Sequence, residues 1–224
     1  MVFKIILAIV AGYLLGSIPT AYLVTRAFKG KDIRRLGGGN IGTLNTMKSV
    51  GKLPAAIVMV VDIGKGAAAV IVAHYPLNLE PPFVMLAGIM AVVGHLWMIF
   101  LKFSGGRGMG AAIGAVLATL AIYGEWTGMG IFAVLIFVPL FITWNIPLAM
   151  CVAFLGLPFI AWFVAHSTSG TILSVILGLL VGGKFLPTAI AAWKKAKTRK
   201  EFFFGERKQQ QPDNNSKQTK DHSG

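Results

Sequence analysis

Long stretches of apolar residues, nearly free of charge, restrict what this chain can fold into. Seven are visible, at roughly 3–25, 53–74, 82–102, 109–124, 128–146, 147–166 and 170–193. Most come close to the ~20 residues that a helix needs to cross about 30 Å of hydrocarbon. Apolar residues make up 55% of the chain and charged residues only 13%, which excludes an ordinary soluble domain. The sequence predicts an all-α polytopic membrane protein of about seven transmembrane helices.

The helix count has one alternative. The fourth stretch is short, and the boundary between the fifth and the sixth rests only on Trp144-Asn145-Ile146-Pro147. Apolar length alone therefore also allows six helices.

Lysine and arginine residues favour the odd count and set the orientation. They fill the first loop (26–52), follow the third stretch at Lys102 and Arg107, and follow the seventh at 194–200. The alternate connections contain neither lysine nor arginine: 75–81, 125–127 and 166–169. With seven crossings every basic cluster lies on one side, which the positive-inside rule makes cytoplasmic. We therefore expect the amino terminus outside and the carboxyl terminus in the cytoplasm.

The sequence predicts one membrane domain, 1–193, with cytosolic active-site loops at 26–52 and 102–108. A basic cytoplasmic tail, 194–224, follows, and its polar end is expected to be disordered from about residue 209. Orientation and attraction to anionic lipid headgroups explain the formal net charge of +13, so we expect membrane lipid and no nucleic acid as a partner. The single cysteine, Cys151, excludes a disulfide framework and a thiolate metal site.

Several polar side chains lie inside the predicted helices at a common depth. At about 1.5 Å per residue they fall about 10–14 Å below one membrane face: Ser17, Asp62, His95 and Lys184. Lys65 lies one turn beyond Asp62, so the two can pair. Intramembrane charges tend to mark function, which favours one cavity open to the cytoplasm. The alternatives are isolated interhelical hydrogen bonds, favoured for Ser17, and a lysine that extends to the headgroups at Lys184.

The first loop is rich in glycine and in hydrogen-bonding side chains. Gly37 to Gly42 formally match a dinucleotide-binding pattern, but that pattern requires a preceding strand, and a transmembrane helix precedes it here. Glycine N–H groups, Asn40, Thr43, Asn45 and flanking cations suit a phosphate or a polyol phosphate. A flexible glycine-rich turn is the alternative.

A second glycine loop, Gly105-Gly106-Arg107-Gly108, opens the fourth stretch. The first N–H groups of a helix lack partners and its dipole is positive there, so an anion is favoured. Arg107 adds a planar set of donors. The alternative is a tight turn in which Arg107 only sets the orientation. With His95 just before it, this loop predicts an anionic substrate bound at the membrane surface.

Taken together, these segments resemble the acyl-phosphate-dependent glycerol-3-phosphate acyltransferase family of bacterial membranes, the PlsY type. They occur in family order and spacing up to about Ala115: Gly16-Ser17-Ile18-Pro19-Thr20, Asp32-Ile33-Arg34, Gly39-Asn40-Ile41-Gly42-Thr43-Leu44-Asn45, Asp62-Ile63-Gly64-Lys65-Gly66, Gly94-His95 through Phe103, and Gly105-Gly106-Arg107-Gly108. The resemblance implies a seven-helix fold in the inner (plasma) membrane with a cytosol-facing site. It implies transfer of a fatty acyl group from acyl phosphate to the 1-hydroxyl of glycerol 3-phosphate, giving lysophosphatidic acid for phospholipid synthesis. Because acyl phosphate is already a mixed anhydride, no cofactor is expected.

The resemblance also implies which residues form the site. The two phosphates would be held by Gly39, Asn40, Thr43, Asn45 and the loop Gly105–Gly108. We expect Arg107 and the amides of Gly105, Gly106 and Gly108 at the donor phosphate. We expect Lys48, Arg34 and Asn45 at the acceptor phosphate. His95 and the Asp62–Lys65 pair would complete the catalytic set by shaping the site, and no metal is predicted. No acyl-enzyme is expected, because no activated nucleophile is evident.

The chain departs from the family pattern at several positions. Lys48 stands where the family usually has arginine and Arg107 where it usually has lysine, so both charges are kept. Gly38 replaces an active-site serine. The third family motif is reduced to 143–147, and the late histidine-x-x-asparagine motif is absent, with only Thr188 in its region. The alternative function is therefore a non-catalytic lipid- or anion-binding membrane protein, or a small transporter.

Overall fold

The computed structural model describes residues 1–195, without the side chains of 188, 189 and 191–195. The predicted disorder from about residue 209, nearly all of the predicted tail and the side chain of Thr188 lie outside this part. The described residues form nine α-helices and no strand: α1 (Val2–Ser17), α2 (Thr20–Lys29), α3 (Thr43–Ser49), α4 (Lys52–His74), α5 (Pro81–Leu96), α6 (Met109–Ile122), α7 (Trp126–Thr143), α8 (Ile146–Phe163) and α9 (Thr168–Lys195). Short 3-10 turns at Ile33–Arg35 and Ile99–Leu101 lie in the first loop and after α5.

Each of the seven predicted apolar stretches is helical, so the all-α membrane class is confirmed. Within the described residues, six helical segments are long and apolar enough to cross a membrane: Val2–Lys29, Lys52–His74, Pro81–Leu101, Trp126–Thr143, Ile146–Phe163 and Thr168–Pro187. The predicted short fourth stretch is α6, whose 14 residues extend about 21 Å. The first stretch is interrupted between α1 and α2, where Pro19 has no N–H to continue the helical ladder.

The boundary between α7 and α8 lies where the sequence predicted it. Trp144 ends α7 with a left-handed backbone (φ 54°). The Asn145 side chain then caps α8 by accepting a hydrogen bond from the Leu148 N–H (3.2 Å). Thr143 hydrogen-bonds to the Pro139 carbonyl and to the Asn145 N–H. These residues, which replace the third family motif, therefore build the turn between two helices.

Small residues let the amino-terminal helices approach one another closely. A Cβ added at Gly12 or Gly16 of α1 would overlap the backbone of α5 at Ala87 or Ala91. Gly66 of α4 lies equally close to the α6 backbone. Close backbone approach at small residues is a common way for membrane helices to associate. Because α4 and α6 also pack on α5, the four helices α1, α4, α5 and α6 form one group.

The carboxyl-terminal helices form a second group around an apolar core. Phe132 of α7 and Phe154 of α8 meet edge to face, with ring centres 6.1 Å apart, and Leu177 of α9 is buried beside them. The same core includes Val92 of α5 and Val116 of α6. α9 therefore packs on both α8 and α5.

A small apolar cluster joins the first predicted active-site loop to the segment between α5 and the second loop. Ile33 and Ile41 of the first loop are buried together with Met98 and Leu101, which follow α5. Burying large aliphatic side chains contributes about 1.5–3 kcal/mol each. This cluster holds the first loop against the segment that leads into the second.

We predict that Gly16→Ala lowers the free energy of unfolding by about 1–3 kcal/mol, the usual cost of overpacking. The reason is that the added Cβ would meet the Ala91 carbonyl. Reversible unfolding of the purified protein in mixed micelles measures the change.

Gly130→Ala is the matched control. Gly130 is exposed in α7, and no atom lies within 4 Å of its Cβ position. Alanine's better helix propensity should leave stability unchanged or slightly higher there. Equal stability of the two variants would contradict the packing of α1 on α5.

Candidate functional site

Three ionisable side chains form a buried cluster between α4 and α5. The Lys65 ammonium lies 2.9 Å from Asp62 Oδ1, and His95 Nδ1 lies 3.7 Å from the same oxygen. Asp62, Lys65 and His95 are only 3–4% exposed. An ion pair at this depth is tolerated because each charge faces a partner, whereas an isolated charge there would be very costly. The predicted Asp62–Lys65 pair is therefore present, and His95 lies beside it.

The end of α1 lies against this cluster. Lys65 Nζ donates a second hydrogen bond to the Ile18 carbonyl (3.2 Å), where α1 gives way to α2. Ser17 donates to the Gly94 carbonyl of α5 (3.4 Å). Ser17 thus makes the interhelical hydrogen bond that was its expected alternative. Polar groups from three helices meet here in a packed arrangement rather than in the open cavity that the sequence favoured.

The two glycine loops meet above His95. The Gly106 N–H donates to the His95 carbonyl (3.0 Å). A Cβ added at Gly106 would collide with both the His95 ring and the Ile41 carbonyl. Only glycine fits between them, so the second loop lies directly between the histidine and the first loop. The two loops to which the resemblance assigns the phosphates therefore lie in contact.

Asn45 organises the first loop from within. Its amide nitrogen lies within hydrogen-bonding distance of the carbonyls of Ile33 (3.3 Å), Leu36 (3.0 Å) and Asn40 (2.9 Å). Its amide oxygen accepts from the Gly38 N–H (3.2 Å). The side chain is 7% exposed. Asn45 therefore bonds to the loop backbone that presents Asn40 and Gly38.

The remaining first-loop residues form the rim of the site. Gly39 has a left-handed backbone (φ 70°), a conformation that glycine adopts without strain. Asn40 and Thr43 are half-buried, and Lys48 is exposed on the last turn of α3. Gly38, the position of the family serine, is exposed and has nothing within 4 Å of its Cβ position. A hydroxyl there would project freely from the rim.

Arg34 is engaged by a neighbouring carboxylate. Its guanidinium donates two hydrogen bonds to Asp32 Oδ2, at 2.7 and 3.0 Å, and lies 5.8 Å from the centre of the Tyr22 ring. The hydrogen bonds from Arg34 hold the pKa of the Asp32 carboxyl below its usual value and raise the pKa of the guanidinium. Arg34 therefore brings little net positive charge to the site.

Arg107 lies at the start of α6, next to the last helix. Gly108 takes the N-cap position with a left-handed backbone (φ 78°). The Arg107 guanidinium lies 5.7 Å from the centre of the Phe185 ring of α9. Burial lowers the pKa of this guanidinium, although arginine remains charged at neutral pH. The helix end and the arginine place positive charge on the same side of the loop.

Lys184 of the last helix lies beside Trp97. Its ammonium is 4.9 Å from the centre of the Trp97 ring, two residues after His95. The sequence offered two explanations for Lys184, a shared cavity or extension to the headgroups; in the structure its ammonium makes a cation–π contact with Trp97. No sequence signal pointed to Trp97, whose ring contacts Lys184, or to Phe185, whose ring contacts Arg107.

Comparison with known proteins extends the similarity beyond the amino-terminal half. A family profile described as Glycerol-3-phosphate acyltransferase matches residues 6–194. "Glycerol-3-phosphate acyltransferase 1" of Dehalococcoides mccartyi is 49% identical over 180 residues, 80% of this chain and 86% of that protein. "Glycerol-3-phosphate acyltransferase 2" of the same organism is 37% identical over 183 residues, covering 82% and 84%.

A similar fold is known from a solved structure. The crystal structure of PlsY (YgiH), an integral membrane glycerol 3-phosphate acyltransferase in its glycerol 3-phosphate form, superposes with a TM-score of 0.71. The alignment covers 85% of this chain and 92% of that chain at 22% identity. The similarity therefore includes α7–α9, where the family motifs are reduced.

We predict that Asn45→Ala loosens the first loop. Removing the amide leaves several backbone carbonyls without their donor, so backbone amides at 36–42 should exchange hydrogen at least about tenfold faster. Hydrogen exchange followed by mass spectrometry measures the change.

Ser49→Ala is the control for the same network. Ser49 Oγ is 3.4 Å from Asn45 Oδ1 and contributes one long hydrogen bond, so exchange should stay near the wild-type rate. If Asn45→Ala leaves exchange at 36–42 unchanged, Asn45 does not organise this loop.

Proposed function

The chain belongs to the glycerol-3-phosphate acyltransferase family, and on this basis we propose that it transfers a fatty acyl group from acyl phosphate to the 1-hydroxyl of glycerol 3-phosphate. The bond between the acyl carbon and the phosphate oxygen breaks, and an ester bond to the acceptor oxygen forms. The products are lysophosphatidic acid and inorganic phosphate, and the hydroxyl proton passes to the departing phosphate. The reaction supplies phospholipid synthesis and needs no cofactor.

The meeting of the two glycine loops above His95 carries this proposal. Both substrates have a phosphate group, and each loop offers backbone N–H groups beside a cation. The contact between Gly106 and the Ile41 carbonyl brings the loops close enough to hold the two substrates side by side. Such alignment can supply much of the rate enhancement of a group transfer, about 7–11 kcal/mol in favourable cases.

In this proposal each loop binds one phosphate. Arg107 and the amides of Gly105, Gly106 and Gly108 bind the donor phosphate and stabilise it as it leaves. Lys48 binds the acceptor phosphate with Asn40, Thr43 and Gly39, which lie on the same rim. Arg34 has only a minor part in binding the acceptor phosphate, since Asp32 already neutralises its charge. Asn45 acts as a positioning residue, because its hydrogen bonds are made to the loop itself.

The buried Asp62, Lys65 and His95 support the loops from below. The cluster is nearly inaccessible, and Gly106 separates the His95 ring from the first loop. Asp62 and Lys65 neutralise each other, so the floor of the site is polar but adds little net charge. We propose that Asp62 and Lys65 orient His95, and that His95 in turn positions Gly106. The acyl carbonyl is attacked directly by the acceptor hydroxyl, without an acyl-enzyme.

The proposed topology has seven crossings, with α6 as the short one. The loops 26–52 and 102–108 then share one membrane face with the basic residues around them. By the positive-inside rule this face is cytoplasmic, where a soluble acceptor such as glycerol 3-phosphate is accessible. The membrane is the inner (plasma) membrane, and the donor's acyl chain lies among the helices and lipid.

We predict that Arg107→Ala lowers the turnover of acyl phosphate at least about tenfold, because a charged donor at the leaving phosphate is lost. The assay is direct analysis of lysophosphatidic acid formed by the purified protein from acyl phosphate and glycerol 3-phosphate.

Arg107→Lys is the conservative control, since it keeps the charge and restores the usual family residue; it should retain most of the activity. Wild-type turnover by Arg107→Ala would defeat the assignment of Arg107. A wild-type protein that binds both phosphates but forms no product would favour the non-catalytic anion-binding alternative, for which the replacement of the family serine by Gly38 is the main observation.

A further inference from the structure

Lys184 of α9 is a lysine in the last membrane helix that has no role in the proposed site. It is half-buried three residues before the end of the apolar segment Thr168–Pro187. Its ammonium lies over the Trp97 ring. Placing a lysine in an apolar helix is costly, and such residues tend to mark a functional site.

No carboxylate in the described part of the chain neutralises Lys184. Asp32 is paired with Arg34, and Asp62 with Lys65. The two remaining described acids, Glu80 and Glu125, lie at the far ends of α5 and α6 from the glycine loops. No carboxylate of the described residues therefore balances the Lys184 ammonium, at the end of the bundle where the two glycine loops meet.

Lys184 lies close to the second glycine loop. Trp97 directly follows Leu96, and a Cβ at Gly105 would collide with the carbonyls of His95 and Leu96. The next residue of α9, Phe185, lies against the Arg107 guanidinium. Two consecutive residues of the last helix thus contact the two ends of the segment Trp97–Arg107. A four-carbon lysine side chain can pivot from Trp97 toward that loop while its stem stays among apolar atoms.

We propose that Lys184 binds the phosphate of the acyl donor together with Arg107. This inference rests on the proposed function, because it assigns the second glycine loop to the donor. The ammonium leaves the Trp97 ring when the donor phosphate arrives. A charge-assisted hydrogen bond to a phosphate oxygen is stronger than a cation–π contact with an indole ring, so the exchange favours the phosphate.

The assignment also gives α9 a role in this chain. The late family motif is missing from this helix, yet α9 packs on α5 and reaches the second loop. Lys184 supplies a positive charge from the last helix at the donor side. The acceptor side, with Lys48 and the first loop, does not involve it.

The test separates the donor from the acceptor. Purified Lys184→Met and Lys184→Gln should raise KM for acyl phosphate about tenfold, as for the loss of one charge-assisted hydrogen bond. KM for glycerol 3-phosphate and kcat should change less than about twofold. Lys184→Arg should restore the wild-type KM. The affinity for a non-hydrolysable acyl phosphonate, measured by calorimetry, should fall in parallel.

Lys4→Met is the matched control, because it removes a lysine from a membrane helix at the opposite end of α1 from the site; all constants should stay at wild-type values. An unchanged KM for acyl phosphate in both neutral variants overturns the inference. So does an equal loss in kcat and both KM values that Lys184→Arg fails to restore, which would indicate a purely structural contact with Trp97. If the wild type forms no lysophosphatidic acid yet binds the phosphonate through Lys184, the proposed function fails and the phosphate-binding role stands.

Discussion

The apolar contact between the first loop and the segment that leads from α5 into the second loop is the interaction on which the rest of the site depends. Ile33 and Ile41 anchor a glycine-rich segment that has little regular structure of its own, and they do so against Met98 and Leu101. Glycine-rich backbone is costly to order, so buried aliphatic side chains at both ends of the segment are what hold it in place. Once Ile41 is fixed, its carbonyl limits the space at Gly106, and the second loop is positioned by the first.

Buried polar groups then define what this pair of loops rests on. The amide of Asn45 takes up the backbone groups of the first loop, and the His95 carbonyl takes up the Gly106 N–H. Below them the Asp62–Lys65 pair tolerates burial because the charges compensate each other. Within the described residues, no carboxylate is paired with Lys48 at the rim or with Lys184 in the last helix. Compensated charge beneath the loops and positive charge around them form an arrangement suited to oxyanions.

Much of this architecture could be predicted from the sequence, because apolar length and polar depth are one-dimensional signals. They identified the helices, the boundary at Trp144 and the Asp62–Lys65 pair. Contacts between distant segments left no such signal. Asn45 was expected at a phosphate, since an amide beside glycines suits one, but its hydrogen bonds close the loop. In the sequence, Trp97 and Phe185 look like ordinary aromatic residues near a membrane surface. The structure shows that Trp97 contacts Lys184 and that Phe185 contacts Arg107.

The central claim is that both glycine loops form one site for two phosphates, and glycine-selective 15N labelling tests it most directly. The labels report on both loops: Gly37, Gly38, Gly39 and Gly42 in the first, and Gly105, Gly106 and Gly108 in the second. NMR spectra of the protein in lipid nanodiscs would be recorded during titration with glycerol 3-phosphate and an acyl phosphonate together. We expect amide signals from both loops to shift and to saturate at the same ligand concentration. Shifts confined to one loop at saturation would contradict the account.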